Sequence, residues 1–336
     1  MRKYLFTVTG LCILMLIVTL MRPSTRGLFL LHLEMIFRTP VQFSAARMIT
    51  GIEPESNLKD QPWGVAQKKR MKEAASKFPN DVPVQIALAV DAGEMASSGE
   101  TLRLVQAYKK LAERYPQSPS AQAALIREMS RNAVRLKRNE ENALIGYPPE
   151  PLPPPSKSED LIAYDAAAAR GERYDPKNAF FPFMRASCLF AANQDSEAIK
   201  CLKRAAEKPN WNDYSSDYIN GSCRLAEITY GDKTTIRHIA AFIANPYPHF
   251  TNTRAVAWVA TYKAVEAEAR GNRAEGKAIR HALISCGDKM RANSNAIGTL
   301  VSEAIEVTSM TRPGGAPARK DIEKMKNQMR INNAHD

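Results

Sequence analysis

The chain repeats itself at a spacing of 37 residues. Glu73 to Val90 (EAASKFPNDVPVQIALAV) aligns with Lys110 to Arg127 (KLAERYPQSPSAQAALIR) without a gap. Ala75 meets Ala112, Pro79 meets Pro116, Gln85 meets Gln122, and Ala87-Leu88 meet Ala124-Leu125, with Phe78 and Tyr115 as a conservative pair. Each copy reads as an amphipathic helix ending in an aromatic residue, after which proline removes the donor that further helix would need. A short polar turn follows, with Asp81 or Ser118 placed to cap the next helix. A repeat of this length and content marks stacked helix–turn–helix units, because one such unit cannot bury its apolar face alone. Composition agrees: glycine is scarce at 16 of 336 residues, and alanine comes in runs such as Ala166 to Ala169, which favours helix over strand.

The same order recurs between Ala163 and Leu189, where Tyr174-Asp175-Pro176 closes one helix and Asn178 can cap the next. The segment from Asn178 to Pro209, NAFFPFMRASCLFAANQDSEAIKCLKRAAEKP, resembles a tetratricopeptide repeat. Ala186 and Leu189 stand at the small and large positions of that family's first helix. Ala198, Leu202 and Ala205 stand at those of its second, and Pro209 takes the terminal proline one position early. The early tryptophan of the family is absent, with Pro182 in its place. A weaker match runs from Val256 to Leu283: Ala264 and Ala267 fill the first-helix positions and Gly271-Asn272 makes the turn, while Gly276 and Leu283 replace alanines. The resemblance spans Gln67 to Met290. It implies an all-α fold, an α-solenoid of tetratricopeptide-like helical hairpins that binds a protein or peptide, and it carries no chemistry.

Ahead of the repeats, Tyr4 to Met21 (YLFTVTGLCILMLIVTLM) runs for eighteen residues without a charge. As helix it would span roughly 27 Å, near the thickness of a bilayer core. It ends in Leu20-Met21-Arg22-Pro23, a poor cleavage site, so an uncleaved transmembrane anchor is favoured over a signal peptide, the competing reading. Arg2 and Lys3 nearly balance Arg22 and Arg26. A very short leading segment places the rest of the chain on the extracytoplasmic side of the inner membrane of a bacterial-type cell. Gly27 to Arg38 is too short and polar for a second span, and suits either an interfacial amphipathic segment or a first helix of the domain.

The expected organisation is therefore an anchor at 1–26, a juxtamembrane segment at 27–60, and N-terminal helical repeats at 61–145. A proline-rich linker at 146–158 (six prolines between Gly146 and Ser158), further repeats at 159–310 and a charged tail at 311–336 complete it.

The formal net charge is +12, but bases alternate with acids along the helices, so no specific nucleic-acid partner is expected. Cys188, Cys201, Cys223 and Cys286 lack CxxC spacing, and His32, His238, His249, His281 and His335 form no ligand motif. No metal, cofactor or catalytic residue is expected, and the protein is read as a non-enzyme. Cys188 and Cys201 fall on two arms of one hairpin, where a disulfide is conceivable in an oxidising compartment, although small core residues are the commoner use. His281 and Cys286 lie five apart, which does not share a helix face well.

For partner binding, Arg185, Lys200, Trp211, Tyr214 and Tyr218 are the candidates, as aromatic and basic residues that could line a concave groove. The same aromatics could instead form the interface between stacked hairpins. The Tyr247-Pro248-His249-Phe250 connection is a further candidate, as an exposed loop. Two rival functions remain: an envelope enzyme or accessory subunit with an unrecognised site, and a binder of anionic polymer or lipid surfaces.

Overall fold

The computed structural model describes residues 63–93, 100–138, 140–144, 154–230, 247–293 and 296–312. The expected anchor, the juxtamembrane segment, most of the proline-rich stretch and the charged tail beyond Arg312 lie outside the described residues. Among those described, no helix is long and apolar enough to cross a membrane.

The described chain is all-α. Its helices are α1 (Trp63–Ser76), α2 (Val82–Gly93), α3 (Glu100–Arg114), α4 (Pro119–Asn132), α5 (Glu140–Leu144) and α6 (Ser158–Tyr174). They continue as α7 (Phe180–Ala191), α8 (Asp195–Glu207), α9 (Ser215–Tyr230), α10 (His249–Ala269), α11 (Arg273–Asn293) and α12 (Ala296–Ser309). The turns fall where the sequence put them. Ser118 Oγ accepts the Ala121 N–H at the start of α4, Asp81 Oδ1 accepts the Val84 N–H, and Asn178 Oδ1 accepts the Phe180 N–H. Gly271, between α10 and α11, sits at φ 87°, a backbone region that glycine enters without steric cost.

The chain divides into two compact units. The first comprises residues 1–88 with 219–245, the second 89–218 with 246–336. In the first, Ala75, Val84, Ala87 and Leu225 form a buried cluster, with Met71, Leu88 and Ile228 packed against it. Arg224 pairs with Asp81 at 3.0 Å and lies over the Phe78 ring.

The repeat has a physical counterpart in both units. Gln85 Nε2 donates to the carbonyl of Ala75 at 3.0 Å, and Gln122 Nε2 donates to the carbonyl of Ala112 at 3.0 Å. One helix-to-helix hydrogen bond thus recurs 37 residues later, each time from a residue ten positions ahead. The third helical junction keeps the spacing and changes the chemistry: Phe181 packs onto Gly171, where a Cβ would lie 2.1 Å from the Phe181 ring.

In the second unit α7 pairs with α8, and α10 with α11, as adjacent hairpins, with α8 against α11 and α7 against α10. Helix α6 lies against α4 and α7, and α12 closes on α10 and α11. The unit contains segments from both sides of the proline-rich stretch. Helix α10 also touches α4 and α5, and it buries a broad face that includes His249, Asn252, Val256, Val259 and Ala264, while Thr251, Arg254 and Ala269 stay exposed. That buried face mixes polar residues with apolar ones, which blurs the amphipathic contrast of the helix. At the far end Arg280 donates to Glu268 at 2.8 Å and to the carbonyls of Ser309 and Thr311, satisfying the C-terminal end of α12.

Asn252, fully buried, fastens α10 to the chain leaving α4. Its Oδ1 accepts the Leu136 N–H at 3.1 Å and its Nδ2 donates to the Val134 carbonyl at 2.7 Å. Asn252→Leu keeps the branched outline, adds volume in a closed interior and strands both backbone groups, so stability should fall by about 2–4 kcal/mol. Urea unfolding at unchanged m-value reads this, and a loss under ~0.5 kcal/mol would show that the two bonds are not held in solution.

Candidate functional site

The five residues singled out from sequence occupy three different environments. Arg185, on α7, is held by Asp165 of α6 through two bonds, 2.6 and 3.1 Å, and that carboxylate raises its pKa. Lys200 projects from α8 into solvent and pairs with Glu197 at 2.7 Å. Tyr214 is half-buried in left-handed backbone, φ 56°, and its hydroxyl donates to Asp175 at 2.7 Å. Burial and then that carboxylate push its pKa up.

Trp211 and Tyr218 are interior. Trp211 is 1% exposed and stands edge-on to Phe180 and Phe183, with ring centroids at 5.8 and 5.3 Å. Tyr218 is buried in the first turn of α9. Trp211 thus belongs to the aromatic packing of α7, and neither side chain is open to solvent. Lys200 and Arg185 lie on the partly exposed face of α7 and α8. There Glu172 also receives Arg204 at 2.8 Å, so acids and bases alternate across α6, α7 and α8.

The Tyr247–Phe250 connection is not an exposed loop. His249 is fully buried and opens α10, Phe250 is nearly so, and Tyr247 stacks on Phe250 with centroids 5.2 Å apart. Rings of this size at this density leave water once a partner ring is available, and Phe180 provides one for His249 at 5.8 Å.

Around His249 the structure gathers polar groups that no sequence motif announced. The loop from Asn210 to Tyr214 is fastened to the start of α7. Ala179 N–H donates to the Asn210 carbonyl at 2.7 Å, Asn210 N–H donates to the Lys177 carbonyl at 3.1 Å, and Asn178 takes both the N–H and the carbonyl of Asn212. That fastening carries Asp213 inside, where its Oδ1 accepts the Ser215 N–H at 2.9 Å and its Oδ2 lies 3.0 Å from His249 Nε2. Although burial opposes its charge, the His249 hydrogen bond and the nearby Arg127 hold the Asp213 carboxyl well below the usual carboxylate range. Burial lowers the His249 pKa. The pair therefore stands at neutral pH as carboxylate and neutral imidazole, with the imidazole proton on Nε2.

Arg127, Tyr108 and Trp211 are further buried polar side chains of the same unit. Arg127 of α4 is 6% exposed and acts electrostatically on Tyr108, Asp213 and His249. Its Nε and Nη1, together with His249 Nδ1 and Trp211 Nε1, find no hydrogen-bond partner among the described residues. Tyr108 of α3 is buried beside Tyr218, and that burial pushes its phenol up. Asp213 and His249 are 36 residues apart and Arg127 a further 86 ahead, so no spacing rule joins them. The Tyr247-Pro248-His249-Phe250 run, read from sequence as an exposed loop, was the one local hint.

Cys188, Cys201, Cys223 and Cys286 are buried free thiols, and burial pushes the Cys188 and Cys286 thiols up to about 12. His281 is exposed and Cys286 fully buried, so the two lie on opposite sides of α11. Among the described residues no group of three or more His, Cys, Asp or Glu is placed to hold a metal ion. The chain matches no protein-family model, no curated protein and no solved structure.

Proposed function

We propose that this chain is a tetratricopeptide-like interaction scaffold, tethered to the inner membrane by Tyr4 to Met21, that binds a protein or peptide partner at the cell envelope. The observation that carries the reading is the recurrence of one helix-to-helix hydrogen bond, Gln85 on Ala75 and Gln122 on Ala112, with Phe181 packed on Gly171 at the same ten-residue separation. Repeated helix-to-helix junctions build a scaffold by addition, and the partner surface comes with the stacking. The partly exposed face of α7 and α8 bearing Arg185 and Lys200 is the surface to examine. Its alternating charges suit a polar segment of mixed charge. Tethering raises the effective concentration for partners at the membrane without a new contact.

The test joins topology to binding. Reporters active on only one side of the membrane, fused to the C-terminus, should report the extracytoplasmic side with the full-length protein in the membrane fraction. Crosslinking of those cells should then yield an envelope protein whose capture falls with Lys200→Glu and Arg185→Glu together. Reporter activity inside, or a shortened soluble product outside, would end the tethered reading. Capture unchanged by the charge reversals would move the partner surface elsewhere. The buried Asp213–His249 pair supports a second reading, an accessory subunit or enzyme with its own ligand. The net charge of +12 supports a third, an anionic-surface binder, whose binding would collapse between low and physiological salt.

A further inference from the structure

Helix α12 turns an apolar face outward. Val301, Ile305 and Thr308 are buried where α12 meets α10 and α11. On the other side Ile297 and Leu300 are 45% and 67% exposed, and Ala304 and Val307 are half-buried. The spacing i, i+3, i+7, i+10 sets these four side by side in one stripe along the helix. Two of the four exposed large hydrophobic residues among those described thus stand one turn apart on a single helix. Scattered singly, such residues need no explanation. Aligned, they mark a surface that another element covers.

We propose that this stripe is the docking site of the chain's own C-terminal segment, Lys320 to Ile331, which packs on α12 as an antiparallel helix. Two observations name the occupant. The first is pattern: Ile322, Met325 and Met329 recur at i, i+3, i+7, the spacing of Ile297, Leu300 and Ala304, while Glu323, Lys324 and Asn327 fall on the opposite side. The second is reach. Arg280, bonded to the carbonyls of Ser309 and Thr311, fixes where the chain leaves α12. Pro313-Gly314-Gly315-Ala316-Pro317 then reads as a turn. Residues 313–320 extend to about 27 Å, and the stripe from Val307 to Ile297 is about 15 Å long, so the segment can fold back over it. A tether this short holds the segment at an effective concentration in the millimolar range, which favours it over a separate chain. The polar side of the segment then becomes the outer face, as the last helix of a stacked array requires. The docking goes beyond the scaffold reading and does not depend on it.

The experiment is amide hydrogen exchange, read by mass spectrometry, on the full chain in detergent micelles at two protein concentrations. Amides of residues 320–331 should exchange about tenfold or more slowly than in a free peptide of that sequence, since a helix this short is marginal alone. Leu300→Glu should restore fast exchange there and leave peptides from α10 and α11 unchanged. Met325→Glu with Met329→Glu tests the contact from the other side at equal helix propensity, and decides if the Leu300→Glu protein misfolds. Free-peptide exchange in the wild-type chain would leave the stripe open. Protection lost on dilution would assign it to a second copy, and protection that survives the substitutions would place the segment elsewhere. Each of these would overturn the proposal.

Discussion

Replacing Asp213 by alanine should destabilise the second unit by about 2–3 kcal/mol, the cost of leaving two buried donors without their charged acceptor. Two groups lose their acceptor together, His249 Nε2–H and the Ser215 N–H at the start of α9, and Arg127 loses a carboxylate that acts on it electrostatically. None of them has a route to water, because His249 is fully enclosed and Arg127 nearly so. Asp213→Asn keeps the shape and one acceptor oxygen, and should cost less than alanine. Urea unfolding of the three proteins measures this, and an alanine loss under ~1 kcal/mol would mean that the pair does not form in solution.

The same pair sets a pH dependence of definite sign. The folded pKa of Asp213 is lowered, so its contribution is present above the unfolded carboxyl pKa of about 3.9 and is lost as pH falls through the folded value. The folded pKa of His249 is lowered as well. The unfolded chain then takes up its proton first, and acidification below about 6.5 favours unfolding. Both act in one direction. Stability should fall steadily from pH 7 to pH 4, and His249→Gln should flatten that part of the profile. An unchanged slope in the variant would assign the acid loss to other groups.

Gly171→Ala should cost about 2–3 kcal/mol, the penalty of overpacking a closed interior. On propensity alone the expected sign is the opposite, since alanine in mid-helix gains up to about 1 kcal/mol over glycine. The steric contact decides. A Cβ on Gly171 would stand 2.1, 2.2 and 2.6 Å from three atoms of the Phe181 ring. That ring is fully buried and braced edge-on by Phe180 at 5.4 Å, so it cannot swing aside. Phe181→Leu should therefore recover part of the Gly171→Ala loss, giving a favourable coupling above ~1 kcal/mol in a double-mutant cycle. A neutral or stabilising Gly171→Ala would refute the close approach of α6 and α7.

Helix content, turn positions and the repeat were all legible in the residues, because each rests on contacts between chain neighbours. Proline after an aromatic ended helices at Phe78, Tyr115 and Tyr174, and Asp81, Ser118 and Asn178 supplied the caps, since a side chain two or three residues away needs no tertiary context to reach a backbone N–H. Gln85 and Gln122 carried a tertiary message too, because one hydrogen bond made twice leaves one residue at matching offsets. Helix α10 shows where that legibility ends. Its buried face carries His249, Asn252, Thr253 and Thr261 beside apolar residues, so it offers little amphipathic contrast to read, and its polar residues looked like loop chemistry.

What the sequence by itself determined is thus an all-α chain of helical hairpins with defined ends. What only the tertiary structure decided is which side chains lie inside. Trp211 and Tyr218 had the same composition cues as surface aromatics, and Asp213, His249 and Arg127 stand too far apart for any period to join them. Their meeting depends on the Asn178 and Asn252 fastenings and on the packing of α4, α7 and α10, contacts formed only when long stretches of chain have already been ordered. The physical reason is that helix and cap are stabilised within a few residues, whereas a buried charge pair is defined by partners, desolvation and enclosing rings that arrive together from separate helices.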